Sequence, residues 1–282
     1  MHVVTRFAPS PTGRLHLGHA YSAVLAHDLA RARGGTFLLR IEDIDPGRAR
    51  PAFVDGIFED LLWLGLEWDG ELIYQSERLP IYAAALDRLK ADGLIYPCIC
   101  TRAEIAAEIA ASASAPQGPD GAPPYPGTCR GGAATDRPHA WRLDVARAMA
   151  RTGPLYWMDD HTEVRAEPER FGDIVLARKD APASYHLAVT VDDAAQGVTD
   201  VVRGRDLFAS TDVHRLLQAL LDLPTPVYRH HGLLADADGN RLAKRHDAPT
   251  LADLRAAGAD PGALVAGLRR GEFPAGYSPA EA

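Results

Sequence analysis

The sequence predicts an α/β fold, in which a doubly wound parallel sheet is interrupted by a smaller inserted domain. Two observations predict it. Within residues 1–95, short apolar runs typical of buried strands alternate with longer runs that have the apolar spacing of helices. Within residues 96–184 this alternation is lost, and it returns from Tyr185 onwards. An insertion of about 90 residues has the ordinary size of a small domain.

The first part of the chain predicts the order β-α-β-α. An apolar start at residues 3–7 predicts the first strand, and a Pro/Gly loop then leads into a helix over residues 17–33. Residues 36–41, TFLLRI, form a nearly continuous apolar run, which is typical of a strand buried on both faces. Helical spacing follows at residues 53–66 and 81–91. This order favours parallel strands joined by helical crossovers.

The inserted segment has a different composition. A helical run at residues 101–111 precedes SASAPQGPDGAPPYPGTC, residues 112–129, which has no apolar period. Its Pro, Gly, Ala and Ser content predicts a flexible loop. Short strands are predicted at residues 140–144 and 174–177.

The sheet pattern returns in the last third of the chain. YHLAVTVDD, residues 185–193, and GVTDVVRG, residues 197–204, predict buried strands, and a helix follows over residues 212–221. Residues 236–282 contain two short helical runs, which are too few for an independent hydrophobic core.

Composition excludes several classes of protein. The net charge of −8 excludes nucleic-acid binding through bulk positive charge, so any RNA site must be a local patch. No apolar run approaches the roughly 18 residues of a membrane span, and the first residues lack the pattern of a signal peptide. Three cysteines, an odd number, fit a reducing compartment. We therefore expect a cytoplasmic protein that needs no membrane and no obligate protein partner.

The loop before the first helix is a candidate phosphate site. It runs PSPTGRLHLGH over residues 9–19, directly between the first strand and the first helix. Such a loop presents backbone N–H groups and the positive end of a helix dipole to a phosphate. Gly18 allows close approach to the backbone. His16 and His19, three residues apart, can share one helix face and donate to phosphate oxygens, although two surface histidines on a Pro-rich turn would give the same short pattern.

A second candidate is the basic loop Arg241-Leu-Ala-Lys244-Arg245-His246, which follows the turn signal Asp238-Gly239-Asn240. Its cations suit the stabilisation of charge on a reacting polyphosphate, with Lys244 at the centre. By itself the pattern also fits a solvated basic turn.

Five ordered blocks of the sequence resemble the class I aminoacyl-tRNA synthetases, specifically their glutamyl branch. PSPTGRLHLGH, preceded by RFA, is similar to the HIGH signature, and RLAKRH is similar to the KMSKS signature, with Ala243 and Arg245 in place of its two serines. LLRIEDIDPGR, SYHLAVTVDD and GVTDVVRGRDL lie between them in the family's order. The resemblance extends from about Thr5 to Ala248.

This resemblance implies a class I synthetase fold with a Rossmann-like parallel sheet, an inserted connective domain, a short helical C-terminus and no anticodon-binding domain. The implied segments are a first catalytic half at 1–95 and an inserted connective and zinc-binding domain at 96–184. A second catalytic half follows at 185–235, and a KMSKS-like loop with a short helical end at 236–282.

The resemblance also implies an ATP-dependent aminoacyl ligase. His16, His19 and Lys244 would be catalytic and would stabilise the phosphates of ATP, which binds with Mg²⁺, while Gly18 would complete the ATP site. The amino acid's carboxylate attacks the α-phosphorus, so positioning and electrostatics lower the barrier without a covalent enzyme intermediate.

The implied amino acid is L-glutamate, whose two carboxylates and one ammonium group require cations and one anion. Arg6 and Arg203, at strand ends expected to converge at the switch point of the sheet, can each hold a carboxylate in a bidentate fork, and Glu42 can pair with the ammonium. Each of them taken singly also fits a structural salt bridge. By resemblance the glutamate-binding positions are Arg6, Phe7, Ala8, Pro9, Ser10, Glu42, Tyr185 and Arg203.

Four aspartates invite a metal-site interpretation, but acidic runs at strand ends more often cap helices or pair with arginines. They are Asp43, Asp45, Asp192 and Asp193. We expect Asp43 and Arg48 to hold their loop together.

The cysteines form a candidate zinc site. Cys98, Cys100 and Cys129 supply three thiols, and a structural zinc site requires four ligands. Tyr125, His139 or a water are the alternatives for the fourth. The resemblance to small glutamyl-type proteins implies a Cys-x-Cys and Tyr-x-x-x-Cys arrangement that binds one structural Zn²⁺. Three buried free cysteines without metal remain the alternative.

The length of the chain after the KMSKS-like loop bears on the acceptor, because ordinary glutamyl-tRNA synthetases carry a large helical anticodon-reading region there. The resemblance is closest to the glutamyl-queuosine tRNA(Asp) synthetase family, which Ile44 in RIEDIDPGR also favours weakly. This family implies activation of glutamate without tRNA and its transfer to queuosine in the anticodon stem-loop of tRNA(Asp). Three alternatives stay open: a truncated synthetase that charges the 3′ end of tRNA(Glu), a non-catalytic RNA-binding paralogue, and a ligase of the same fold that acts on a small amine.

Overall fold

The structure is a computed structural model, and it describes residues 2–111, 118–119, 121, 123–132, 136–236 and 249–280. Residues 112–117, 120 and 122 of the predicted flexible loop 112–129, and the whole basic loop with Lys244, lie outside the described residues. In chain order the elements are β1 (Val4–Phe7), α1 (Leu17–Ala32), β2 (Thr36–Ile41), α2 (Pro51–Trp63), β3 (Ile73–Tyr74), α3 (Leu79–Ala91), β4 (Ile95–Cys98), α4 (Arg102–Ala111), β5 (Ala140–Leu143), α5 (Val145–Thr152), β6 (Tyr156–Asp159), β7 (Thr162–Arg165), β8 (Val175–Ala177), α6 (Tyr185–Ala195), β9 (Asp200–Gly204), α7 (Ser210–Leu220), β10 (Val227–His231), β11 (Leu234–Ala235), α8 (Leu251–Ala256), α9 (Pro261–Arg270) and β12 (Ser278–Pro279).

The chain forms two compact units. The first comprises Met1–Glu77, Gly197–Leu207 and Pro226–Ala282, and the second comprises Arg78–Gln196 and Phe208–Thr225. These bounds differ from the segments expected from the sequence, and the expected domain organisation stays a prediction.

The first unit contains the parallel strands. β1 pairs in parallel with β2, with Val4 opposite Thr36, and β3 extends the sheet in parallel beyond β2. β9 and β10 are also parallel, with Val227 opposite Asp200. Thr199 joins the two pairs, because its N–H donates to the Val4 carbonyl and its own carbonyl accepts from Val227 N, both at 2.9 Å. The predicted parallel α/β architecture is confirmed.

Apolar residues of both the sheet and the helices form the core of this unit. The buried face of α1 follows the predicted helical spacing, and α9 adds Val265 and Leu268 to the same cluster. The fully buried residues of the strand TFLLRI include Phe37, Leu39 and Ile41. Burying such a face is the main source of stability for helices and strands of this length.

The second unit is built around an antiparallel sheet, in which β5 pairs with β4 on one side and with β8 on the other. The strands predicted near residues 140–144 and 174–177 are therefore confirmed. β6 and β7 form a hairpin, whose turn residue Asp160 has a φ of 53°.

The predicted strand at YHLAVTVDD is wrong, because these residues form α6. The Ser184 hydroxyl caps this helix by accepting from Leu187 N at 3.4 Å. Every residue from Leu187 to Asp193 is buried, so the apolar run reflects a helix surrounded by protein rather than a strand. Periodicity does not separate these two cases in a short apolar run.

No helix among the described residues is both long enough and apolar enough to cross a lipid bilayer.

Candidate active site

The two histidines of the phosphate-site motif lie at the first turn of α1, as predicted. His16 is the N-cap residue, and its Nδ1 accepts from Gly18 N at 3.1 Å. His16 N in turn donates to His19 Nδ1 at 3.1 Å, which completes a reciprocal capping box. The two ring centroids are 3.8 Å apart. The histidines therefore have a structural role that the sequence did not reveal, since histidine is an unusual capping residue.

This cap fixes the orientation of both imidazoles. When the Nδ1 atom of a neutral imidazole accepts a hydrogen bond, the ring carries its proton on Nε2. Both rings are then donors at Nε2, beside the N-terminus of α1, where the helix dipole favours an anion. A Cβ at Gly18 would lie 3.1 Å from Cε1 of His16, so glycine also leaves room for that ring. The chemistry at this turn suits phosphate oxygens.

Three of the predicted pocket residues are buried charges at the ends of strands. Arg6 and Arg203 are each 5% exposed and Glu42 is 9% exposed. β1 and β2 are parallel, and the amino ends of β1 and β9 lie side by side at Thr199, so the carboxyl ends of these strands share one edge. Glu42 N donates to the Pro9 carbonyl at 3.1 Å, which holds the end of β2 against the loop after β1.

Arg203 is held by residues that the sequence did not single out. Its Nε donates to His230 Nε2 at 3.2 Å, its second terminal nitrogen donates to the Leu207 carbonyl at 3.1 Å, and its guanidinium lies 5.1 Å from the ring centroid of Tyr228. Register explains the first contact, because His230 is directly opposite Arg203 in the β9–β10 ladder. Only the pairing of these two strands could have revealed it.

Arg40 is a further charged residue that was missed. It is fully buried in β2, and its guanidinium forms an ion pair with Glu42 at 3.2 Å. An arginine within the apolar run TFLLRI was the available signal, since arginine is rarely buried without a partner. The pair fixes the carboxylate of Glu42 at the sheet edge.

The remaining predicted pocket residues lie in different places. Phe7 and Pro9 are buried, Ala8 is half-buried and Ser10 is exposed, all on or after β1. Tyr185 begins α6 in the second unit, where its ring centroid is 5.5 Å from that of His186 and 5.6 Å from that of His214. The predicted roles of these residues, and of Lys244, stay predictions.

The acidic residues make protein contacts, in line with the sequence-based expectation. Asp192 accepts from Arg78 Nε at 2.6 Å and from the Tyr82 hydroxyl at 2.7 Å. Asp43 holds its loop by accepting from Ser76 N at 2.9 Å and from the Ser76 hydroxyl at 2.7 Å. The side chain of Arg48 contributes less to that loop than expected, because its Nε approaches the Asp45 carboxylate only to 4.0 Å and it is largely exposed, whereas its backbone N–H donates to the Asp45 carbonyl at 3.1 Å.

The second unit contains a candidate metal centre. The Sγ atoms of Cys98, Cys100 and Cys129 all lie within 4.8 Å of one another. The Tyr125 hydroxyl is 3.4 Å from the sulfur of Cys98 and 3.4 Å from that of Cys100. A tetrahedral zinc with bonds of about 2.3 Å to sulfur and 2.0 Å to oxygen separates such ligands by about 3.5 Å. The Tyr125 hydroxyl therefore lies at a distance that suits a fourth zinc ligand, whereas His139 lies against Trp141 with its ring centroid 4.9 Å away.

The thiols of Cys100 and Cys129 differ in pKa, because they differ in burial and in hydrogen bonding. Burial raises the pKa of Cys100 to about 11. Burial also opposes ionisation of Cys129, but hydrogen bonds from the Tyr125 hydroxyl and the Ile99 N–H bring its pKa down to about 7. The pKa of Tyr125 is raised by burial and by its hydrogen bonds with the cysteines. Cys129 is thus prepared to act as a thiolate ligand, while tyrosinate would form only against a bound cation.

A buried carboxylate, Asp173, supports this centre. Its Oδ2 accepts from the Tyr96 hydroxyl at 2.5 Å and from Arg130 Nε at 2.9 Å, and its Oδ1 accepts from Val145 N at 3.1 Å. Arg130 follows Cys129 directly, and the guanidinium of Arg142 lies 3.9 Å from the centroid of the Tyr125 ring. Nothing in the sequence marked Asp173, because its donors come from three separate segments.

Residues 2–280 match the family model described as class I tRNA synthetases (E and Q), catalytic domain. The chain belongs to this family. Within it, the chain belongs with the glutamyl-Q tRNA(Asp) synthetases. It is 52% identical to the protein of that name from Rhodobacter capsulatus over 276 residues, which are 92% of this chain and 97% of the relative. It is 46% identical to that from Deinococcus radiodurans over 271 residues, which are 95% of this chain and 88% of the relative.

Solved structures support the same fold. The chain is similar to a glutamate-tRNA synthetase from Elizabethkingia anophelis, with a TM-score of 0.72 and 27% identity over 87% of this chain. It is also similar to a glutamate tRNA ligase from Elizabethkingia meningosepticum, solved in complex with its amino acid, with a TM-score of 0.73 and 27% identity over 89% of this chain. The chain spans about half of the length of these two proteins, 53% and 54%.

Proposed function

We propose that this enzyme activates L-glutamate with ATP in the absence of tRNA, and transfers the glutamyl group to queuosine in the anticodon stem-loop of tRNA(Asp). One observation carries the proposal: two buried arginines and one buried glutamate lie at strand ends of the first unit, beside a helix that begins with two oriented histidines. The names of relatives up to 52% identical support the acceptor.

The charges match the amino acid. Glutamate carries two carboxylates, and Arg6 and Arg203 can each receive one in a bidentate fork. Its ammonium group can pair with Glu42, which Arg40 already holds in place. Buried cations of this kind favour a substrate with two anionic groups over one with an amide or an apolar side chain, because only an anionic side chain can form a charge-assisted bidentate pair with a guanidinium.

The reaction needs positioning and charge stabilisation. An oxygen of the α-carboxylate attacks the α-phosphorus of ATP, the bond between that phosphorus and the α,β-bridging oxygen breaks, and pyrophosphate departs with the electron pair. The Nε2 donors of His16 and His19 act on phosphate oxygens, and Mg²⁺ accompanies the nucleotide. Lys244 would add a cation on the leaving side. The glutamyl group then passes to a queuosine hydroxyl, which releases AMP.

The four residues of the cysteine cluster fit one structural zinc ion. Cys98, Cys100, Tyr125 and Cys129 would hold it, as the distances between their sulfur and oxygen atoms match a tetrahedral site. Zinc would cross-link β4 to the segment around residue 129. A cytoplasmic location, which offers tRNA, ATP and reduced thiols, belongs to the same proposal.

Two measurements test the proposal. ATP–pyrophosphate exchange is measured with each of the twenty amino acids and no RNA, and exchange with glutamate alone is expected. Labelled glutamate is then offered with anticodon stem-loop fragments of tRNA(Asp) that contain or lack queuosine. Transfer only to the queuosine fragment is expected, since neither fragment has the acceptor end of a tRNA. Charging of intact tRNA(Glu), with no label in the stem-loop, would contradict the proposed acceptor.

A further inference from the structure

The second unit contains a basic cleft that has no role in the proposed activation of glutamate. It is an open, shallow cleft of about 360 Å³. Its polar lining is cationic, and an indole forms part of its wall. We define the basic cleft by Arg137, His139, Trp141, Arg178 and Lys179.

The backbone around β5 and β8 brings these residues together. Trp141 lies on β5 opposite Ala177, the last residue of β8. A tight turn follows, in which Arg178 N donates to the Ala181 carbonyl at 2.8 Å, and this turn exposes Lys179. Arg137 and His139 precede β5, and His139 Nδ1 bonds to the Arg137 carbonyl at 2.8 Å. The cleft is therefore built on hydrogen-bonded segments.

Two of the cations are not neutralised by neighbours. Arg178 pairs with Asp180 at 2.9 Å, but Arg137 and Lys179 form no ion pair with any residue that the structure describes. The carboxylate of Glu104 interacts electrostatically with both cations, but it already accepts a hydrogen bond from Thr101 N at 2.7 Å. In a protein of net charge −8, two exposed and unpaired cations at one cleft form a local anion site.

The indole adds a second recognition element. Trp141 is half-buried, and the Lys90 ammonium lies 4.6 Å from its ring centroid, so the ring already contacts a cation. The indole N–H makes no hydrogen bond with the described part of the chain. Cations beside an aromatic ring are the combination that binds single-stranded nucleic acid, through phosphate contacts and contacts with the flat face of a base.

We propose that the basic cleft binds one unpaired nucleotide of RNA, with its phosphate between Arg137 and Lys179 and its base against Trp141. The inference rests on the proposed function in one respect, namely that the RNA is the anticodon loop of tRNA(Asp). This is the local patch through which an acidic protein can bind RNA with strong dependence on salt.

Fluorescence anisotropy with a labelled anticodon stem-loop of tRNA(Asp) tests the cleft. Arg137→Gln and Lys179→Gln are each expected to weaken binding about fivefold at about 0.1 M salt, and to lower the slope of log K against log salt by about 0.7. Trp141→Leu keeps an apolar side chain and is expected to weaken binding about fivefold or more. Arg165→Gln, which removes an exposed cation of the same unit outside the cleft, is the matched control and is expected to change affinity less than twofold.

Two further arms separate the possible failures. Inorganic phosphate at equal phosphate concentration is expected to compete poorly, and full competition would show a site for free phosphate and overturn the RNA assignment. Glutamate-dependent ATP–pyrophosphate exchange without RNA is expected to be unchanged in all four variants. Absence of exchange in the wild type would refute the proposed function. Wild-type RNA affinity in the three cleft variants, or no RNA binding by the wild type, would overturn the cleft while leaving glutamate activation standing.

Discussion

His16 caps α1 and is also proposed to donate to phosphate oxygens of ATP, and substitutions of His16 can separate these two roles. His16→Ala removes the acceptor of the Gly18 N–H, and loss of such a cap costs about 1 kcal/mol in the free energy of unfolding. It also removes an Nε2 donor, and loss of one preorganised donor lowers a rate by about 10²-fold or more. We therefore expect His16→Ala to lower both stability and glutamate-dependent ATP–pyrophosphate exchange.

His16→Asn divides these two effects. The amide oxygen of asparagine lies near the position of Nδ1 in histidine and can accept from Gly18 N, whereas no atom replaces Nε2. Asparagine is among the best N-cap residues, so stability should return to within about 0.5 kcal/mol of the wild type. Exchange should stay as low as in His16→Ala.

Urea unfolding and initial rates of exchange at saturating ATP measure the two quantities. Asp260→Ala is the matched control, because Asp260 caps α9 in the same unit by accepting from Gly262 N at 2.8 Å. It should lose about 1 kcal/mol of stability and keep its exchange rate. Wild-type exchange in His16→Asn would refute the reasoning, since His16 would then act only as a cap.

Three further predictions concern other charged side chains. Arg203→Lys keeps the charge but loses the planar fork, and we expect the KM for glutamate to rise about tenfold in exchange assays while the KM for ATP stays constant; an equal rise in both would show a general disturbance of the sheet edge. Asp173→Asn removes the counter-charge of Arg130 and weakens three hydrogen bonds. It should lower the free energy of unfolding, measured in urea, by about 2–4 kcal/mol. An unfolding midpoint equal to that of the wild type would show that Asp173 does not support the second unit. A hydrogen bond from the Arg31 guanidinium holds the pKa of Asp69 below its usual value. Burial opposes this shift, and a hydrogen bond from Phe37 N adds to it. The resulting stabilisation is present above about pH 4 and is lost as the pH falls through the lower folded-state pKa. Asp69→Asn should therefore lower the free energy of unfolding in urea by about 0.5 kcal/mol at pH 7, after allowance for solvent screening, and by nothing near pH 2. A difference in stability that persists in acid would contradict this linkage.

The sequence predicted the parallel part of the fold well, because strands such as TFLLRI and the amphipathic α1 have distinct periods. It failed at α6, where burial on all sides produces the same apolar run as a strand. The difference lies in tertiary packing, which a single sequence does not report.

Residue types and motif order predicted much of the candidate site, including the charged residues at strand ends and the cysteine cluster. The hydrogen-bond partners of these residues were harder to predict than the residues themselves. His230 depends on the register of two strands, and Asp173 depends on segments up to 77 residues away. The cap formed by His16 was missed because the sequence shows the histidine but not the direction of its ring.

The buried carboxylate of Asp173 has a consequence for how the second unit opens. Its hydrogen bonds span 77, 43 and 28 residues of sequence, so they connect β4, the segment after Cys129 and the start of α5 through one side chain. Segments joined in this way open together rather than fraying one by one. In native-state hydrogen exchange, the amides of β4, β5 and the first turn of α5 should therefore share a single opening free energy and behave as one cooperative unit.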